Sequence, residues 1–179
     1  KICEEEEWPT LNKKNYILSV GRFFVGGHNK KHDIMIEAFK KLVDTHSEFK
    51  DWELHLAGAL KQYKLDIEYF ESLKEMATGY NVVFHTNIEQ SDIHDLYKSS
   101  KIYWHATGYG ESNPLKFEHF GIAPVEAIYA NCVPILINKG GLPEIVNESG
   151  GFLWNSIDEL VEITAGYNKG TQLNYPYKF

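Results

Sequence analysis

The sequence has 179 residues, 43% of them apolar and 14% aromatic, enough for one domain with a sizeable core, and general disorder is excluded. Its 18 Lys and Arg face 25 Asp and Glu, giving a net charge of −7; an acidic chain without a basic run is a poor partner for nucleic acid or an anionic membrane. No apolar stretch approaches the ~20 residues that span a bilayer. The opening KICEEEEWPT lacks the apolar run of a secretory signal. Cys3 and Cys132 make neither a metal pattern nor a disulfide framework, and Cys132, in an apolar run, is expected to be an inert buried thiol in a reducing, cytoplasmic compartment.

Residues 1–15, with the acidic run Glu4 to Glu7 and Pro9, read as a solvated leader or a cut linker. Six short apolar runs follow: YILSV (16–20), WELHLA (52–57), VVFH (82–85), KIYWHA (101–106), VPILI (133–137) and GFLW (151–154). Several are nearly continuous, as in strands buried on both faces of a parallel sheet. Helical spacing fills the gaps. Ile34, Met35, Ala38, Phe39 and Leu42 form one stripe, with Glu37, Lys40, Lys41 and Asp44 opposite. Weaker helical patterns cover 63–78, 92–99, 124–130, 143–148 and 157–165, and an irregular tail is expected over 167–179. This alternation predicts an α/β domain over 16–166, a right-handed, Rossmann-like parallel sheet of about six strands flanked by helices.

Ligands of such sheets bind beyond the carboxyl ends of the strands, where helix N-termini also point. The first such loop, GRFFVGGHNKKHD (21–33), holds Gly21, Arg22, His28, Lys30, Lys31 and His32. Glycines let backbone approach a ligand, and Arg and Lys grip phosphate. The plainer alternative is a polar loop with solvated cations; in an acidic chain the concentration of basic groups favours anion binding. The loop has neither the Walker nor the dinucleotide glycine spacing, so it is no P-loop and no nicotinamide site.

The fourth loop, ATGYGESNPLKFEHFGIAPVEA (106–127), is longer than compact α/β units usually carry. Its helix is expected to hold Pro124 and Glu126 in the first turn, which by itself accounts for Glu126 through the helix dipole. Glu118 has no such account. The amides of Phe120, Gly121 and Ile122 are expected to face the strand ends, open to a diphosphate. In the fifth loop (138–147), Gly140 and Gly141 serve a turn and Lys139 reads as solvated. The histidines show no zinc spacing, and no metal site is expected.

The stretch EHFGIAPVEA (118–127) resembles the E-x7-E motif of retaining family 4 glycosyltransferases, enzymes of the GT-B fold. ANCVPILINKGGLPEIV (130–146) resembles that family's strand and G-G-x-P-E turn, and SVGRF (19–23) with KKHDIMIEAF (30–39) its G-R-L…K-G pattern. WELHLAG (52–58) and NVVFHTNI (81–88) are similar to its second and third strand–loop units. The resemblance spans roughly 16–165 and implies the C-terminal, donor-nucleotide half of a GT-B enzyme. The N-terminal acceptor half would then be a missing partner, any peripheral membrane association would lie there, and this half alone would be inactive.

The resemblance implies further roles. Arg22 and Lys30 fall on the diphosphate-binding Arg and Lys and would be catalytic by stabilising the leaving diphosphate, with Glu118, also catalytic, at the transferred sugar and Glu126 at the ribose hydroxyls. Lys31 stands where the family has Gly and is an alternative phosphate ligand. Gly21, His119 and the backbone of Phe120, Gly121 and Ile122 would touch sugar and phosphate; Thr86, Asn87 and Ile88 would flank the base of a UDP or GDP donor. No cofactor or metal is implied beyond the nucleotide sugar, and the insert Gly108–Phe117 has no assigned role. The rival readings are a non-catalytic nucleotide-sugar-binding module, a sugar-nucleotide epimerase of the same fold, and a flavodoxin-like signalling domain. The last needs an acidic cluster after the first strand, where Gly21 and Arg22 stand instead.

Overall fold

The computed structural model describes residues 12–169. Its order is β1 (Lys14–Val20), α1 (His32–Thr45), β2 (Glu53–Gly58), α2 (Lys64–Met76), β3 (Val82–Thr86), α3 (Gln90–Ser99), β4 (Ser100–His105), α4 (Ile122–Tyr129), β5 (Val133–Ile137), α5 (Leu142–Ser149), β6 (Phe152–Trp154) and α6 (Ile157–Asn168). Short 3-10 turns lie at Ser47–Phe49 and Pro114–Lys116. All six strands form one sheet in the order β3-β2-β1-β4-β5-β6, and every pairing is parallel.

The apolar runs are strands because both their faces are covered. All five residues of β5 are buried, as are the four middle residues of β2. On one side α1 packs between α2 and α6; α4 packs against α5, and α3 against β1. Met35, Ala38, Phe39 and Leu42 of the expected stripe are fully buried, joined by Ile36 and His32, whereas Ile34 is only partly covered. Trp104 and Trp154 fill the centre, their indole N–H groups donating to Thr164 Oγ1 and His105 O at 3.2 Å each. Both of these buried indoles therefore have an acceptor. Among the described residues no helix is long and apolar enough to cross a membrane.

Several boundaries shift by a residue or two from expectation, and three of the shifts have a clear cause. β1 begins at Lys14 rather than residue 16, because Lys14 pairs with Ser100 of β4. α6 runs through Gly166 to Asn168, since Tyr167 packs on the core and rewards three more helical residues. α4 starts at Ile122, which puts Pro124 third and Glu126 fifth, beyond the first turn. Cys3, the acidic run, Pro9, Gly170, Asn174 and Pro176 lie outside the described residues.

Candidate functional site

β1 and β4 are neighbours in the sheet, but β1 runs on towards β2 and β4 towards β5 on the other side. That reversal makes a crevice at their carboxyl ends, the usual ligand position of such sheets. The β1–α1 loop forms one wall and the long β4–α4 loop the other. Gly21 donates its N–H to Ala57 O at 2.8 Å, and a Cβ on Gly58 would sit 2.0 Å from Gly21 O. Only glycine at 58 allows that contact. A Cβ on Gly21 would stand 2.5 Å from Lys30 Cγ, so the lysine stem lies along bare backbone.

Lys30 Nζ reaches across to Glu118 Oε2 at 2.8 Å, and both side chains are about one-fifth exposed. Glu118 Oε1 accepts from the amides of Phe120 and Gly121 at 3.4 and 3.3 Å, at the N-terminus of α4. His105, buried at the end of β4, has Nε2 3.7 Å from Glu118 Oε2 and no partner for Nδ1. His105, Lys30 and the Gly121 amide hold the Glu118 carboxyl well below the usual carboxylate range. Two expectations are thereby corrected. Glu118 has a structural role, closing the helix terminus and the lysine, and the amides of Phe120 and Gly121 carry its carboxylate rather than standing open.

The β5–α5 loop supports this arrangement from below. Gly141 donates to Glu118 O at 3.0 Å, and Cβ atoms on Gly140 and Gly141 would strike Glu118 O and His119 O at 2.1 and 2.3 Å. These glycines therefore admit the backbone of the fourth loop as well as making a turn. Lys139 is not solvated: its Nζ donates to Glu111 O at 2.7 Å and lies 4.9 Å from the Phe117 ring centre.

The other expected residues are more dispersed. Lys31 sits at φ 56°, as a residue in a glycine position would, and its Nζ meets Glu111 Oε1 at 2.9 Å. Arg22 is exposed, its guanidinium 4.7 Å from the Phe24 ring centre, and lines a cavity of about 390 Å³ with Phe24, Lys61 and Tyr63. It does not join the Lys30–Glu118 pair. His119 is exposed, its ring edge-on to His28 at 5.9 Å, and Phe120 and Ile122 are 83% and 72% exposed. Glu126, off the first turn, loses its dipole account; its Oε2 instead accepts from Tyr97 OH at 3.1 Å. Thr86 ends β3, two strands from the crevice edge. Asn87, at φ 55°, spends its amide on both polar backbone groups of Leu60, and Ile88 lines a second cavity with Tyr16, His55 and His85.

Sequence reasoning passed over His105, although an imidazole ending an otherwise apolar strand was the available signal. It also left Glu111 and Lys116 unassigned inside the insert. Cys132 is as expected: its thiol is buried, donates to Tyr97 O and Ser100 O, and is pushed up to about 11 by burial. Among the described residues no group of three or more His, Cys, Asp or Glu is placed to hold a metal ion.

A six-stranded parallel sheet in this order, with its crevice at the β1/β4 junction, defines a Rossmann-like domain of the kind that makes up half of a GT-B fold. The chain belongs to the glycosyl transferases group 1 family, whose model matches residues 4–162. It is 32% identical over 150 residues to the human alpha-1,3/1,6-mannosyltransferase ALG2, covering 79% of this chain and 33% of that protein. It is 26% identical over 165 residues to a GDP-Man:Man(3)GlcNAc(2)-PP-Dol alpha-1,2-mannosyltransferase of Dictyostelium discoideum, covering 87% of this chain and 30% of the relative. The chain thus spans about a third of these relatives. Among solved structures, the C-terminal domain of a Francisella tularensis glycosyl transferase group 1 protein shares the fold with TM-score 0.65, 20% identity, 89% of this chain and 78% of that one. A UDP-forming trehalose-phosphate synthase from Burkholderia xenovorans does so with TM-score 0.69, 12% identity, and 91% and 38% coverage.

Proposed function

We propose that this chain is the donor-binding half of a retaining glycosyltransferase and that the β1/β4 crevice takes a nucleoside-diphosphate sugar. The observation that carries the reading is the meeting of Lys30, Glu118 and the α4 N-terminus at the sheet's switch point. A lysine and a helix N-terminus together favour a phosphate, and a carboxylate beside them suits sugar hydroxyls. On this reading the diphosphate takes over Lys30 and the amides of Phe120, Gly121 and Ile122, and Glu118 turns to the sugar. Arg22 closes on the phosphates from the rim. Glu126 binds the ribose hydroxyls, and the backbone of Thr86, Asn87 and Ile88 flanks the base. As the glycosidic bond breaks, Arg22 and Lys30 stabilise the charge on the leaving diphosphate, without a metal.

The acceptor would be bound by another domain of a longer protein acting in glycoconjugate synthesis, in the cytoplasm or at the inner face of a membrane. GDP-mannose is the first donor to test, because the Dictyostelium relative is named for it; UDP-glucose is the comparison. Calorimetric titration is expected to show binding of GDP-mannose or UDP-glucose and of the matching free diphosphate, unchanged by EDTA. Lys30→Ala is expected to weaken both by about 1.5–3 kcal/mol, the range for hydrogen bonds to charged groups. Binding lost in EDTA, or unaffected by Lys30→Ala, would count against this reading.

A further inference from the structure

The insert between β4 and α4 forms a strap across the crevice. It leaves the β4 end through Gly108 and Gly110, at φ 98° and 72°, with Tyr109 anchored 5.4 Å from the Trp154 ring. Three ammonium groups from three segments then converge on one residue. Lys31 of the β1–α1 loop meets Glu111 Oε1 at 2.9 Å, and Lys116 of the strap meets Oε2 at 2.9 Å. Lys139 of the β5–α5 loop donates to the Glu111 carbonyl at 2.7 Å. One carboxylate against three ammonium groups leaves an excess of positive charge, in a chain whose net charge is −7.

We propose that Lys31 and Lys116 form a phosphate subsite at the rim of the crevice and that Glu111 occupies it as an internal anion until a ligand phosphate displaces it. The arrangement has the features of an anion site. Each carboxylate oxygen faces its own ammonium group at hydrogen-bond distance, as two oxygens of a phosphate would. Lys31 stands at the N-terminus of α1, which adds a partial positive charge. Lys116 and Lys31 hold the Glu111 carboxyl down to about 2, so it stays an anion at any working pH. A phosphate brings more charge than a carboxylate and neutralises the lysines more fully. Glu111 is about one-quarter exposed, so it can leave into solvent without dragging charge through the core.

The phosphate can belong to the donor diphosphate or to a second ligand, and the inference rests on the donor reading only for the first source. The test is calorimetry of Glu111→Gln against the parent with inorganic pyrophosphate, GDP, UDP, and inorganic phosphate added to GDP-saturated protein. Removing the internal competitor is expected to tighten pyrophosphate about tenfold, on the scale of two partly exposed ion pairs. Lys31→Ala in the Glu111→Gln background is expected to erase the gain. Tighter GDP or UDP assigns the subsite to the donor; tighter inorganic phosphate alongside bound GDP assigns it to a second ligand. A pyrophosphate gain with no nucleotide binding in either protein sustains the subsite and sinks the donor reading. Equal or weaker pyrophosphate binding by Glu111→Gln, or none by either protein, overturns the inference. A second readout uses the parent alone. Saturating pyrophosphate is expected to speed hydrogen exchange at the Glu111 amide, which donates to Gly108 O at 3.0 Å; unchanged or slower exchange contradicts displacement.

Discussion

His32 opens α1 beneath the crevice, fully buried and stacked on Phe23 at 4.5 Å. Burial, with Lys30 and His105 adding repulsion, lowers its pKa to about 3 from an ordinary 6.5. The folded chain therefore keeps the ring neutral where the unfolded chain binds a proton. Stability is unaffected above pH 6.5 and falls as the pH drops from there towards 3, by at most ~1.4 kcal/mol per unit from this residue. Thermal unfolding across that range is expected to show a shallower decline for His32→Phe than for the parent. Parallel profiles would remove His32 as the cause. Glu118 acts in the same sense at lower pH: its carboxyl is held well below the usual range, so the stability of the Lys30 pair is lost only as the pH falls below that range.

At the scale of elements, the strands and helices were legible because burial on both faces writes itself as continuous apolar runs, and VPILI became β5 residue for residue. The start of α4 is not legible from Pro124, whose preference for the first turn points two residues too late; the helix begins behind Gly121 at φ 60°. Close backbone approaches leave a fainter trace. Gly58 stands just past the apolar run 52–57, where a glycine reads only as the start of a loop, yet its missing Cβ is what lets β2 touch the β1–α1 loop. Gly58→Ala is expected to cost more than about 2 kcal/mol, since backbone rather than a movable side chain is struck. The melting temperature is then expected to fall by several degrees, at roughly 2–4 °C per kcal/mol. Gly79→Ala, where nothing stands within 4 Å but φ is 86°, carries only the strain of the positive φ and serves as the milder reference. Equal losses for both would mean that the Gly58 contact contributes nothing.

Across the whole molecule, the site is assembled from loops far apart in sequence that the 3-2-1-4-5-6 strand order brings to one edge. Motif resemblance pointed to Lys30 and Glu118 singly, but their pairing depends on side-chain reach across the crevice, which no spacing encodes. The same holds for Glu111, whose partners come from three loops. On the proposed reading, this crevice holds the diphosphate at Lys30 and the α4 N-terminus, with the sugar at Glu118. Calorimetry of Glu118→Ala with GDP and GDP-mannose, or with UDP and UDP-glucose if that pair binds, addresses it most directly. Removing Glu118 frees Lys30 and the helix amides while deleting the sugar contact. The free diphosphate is therefore expected to bind as tightly as to the parent or more so, and the nucleotide sugar to lose about 1–3 kcal/mol. Equal weakening of both ligands, or no effect on either, would contradict the account.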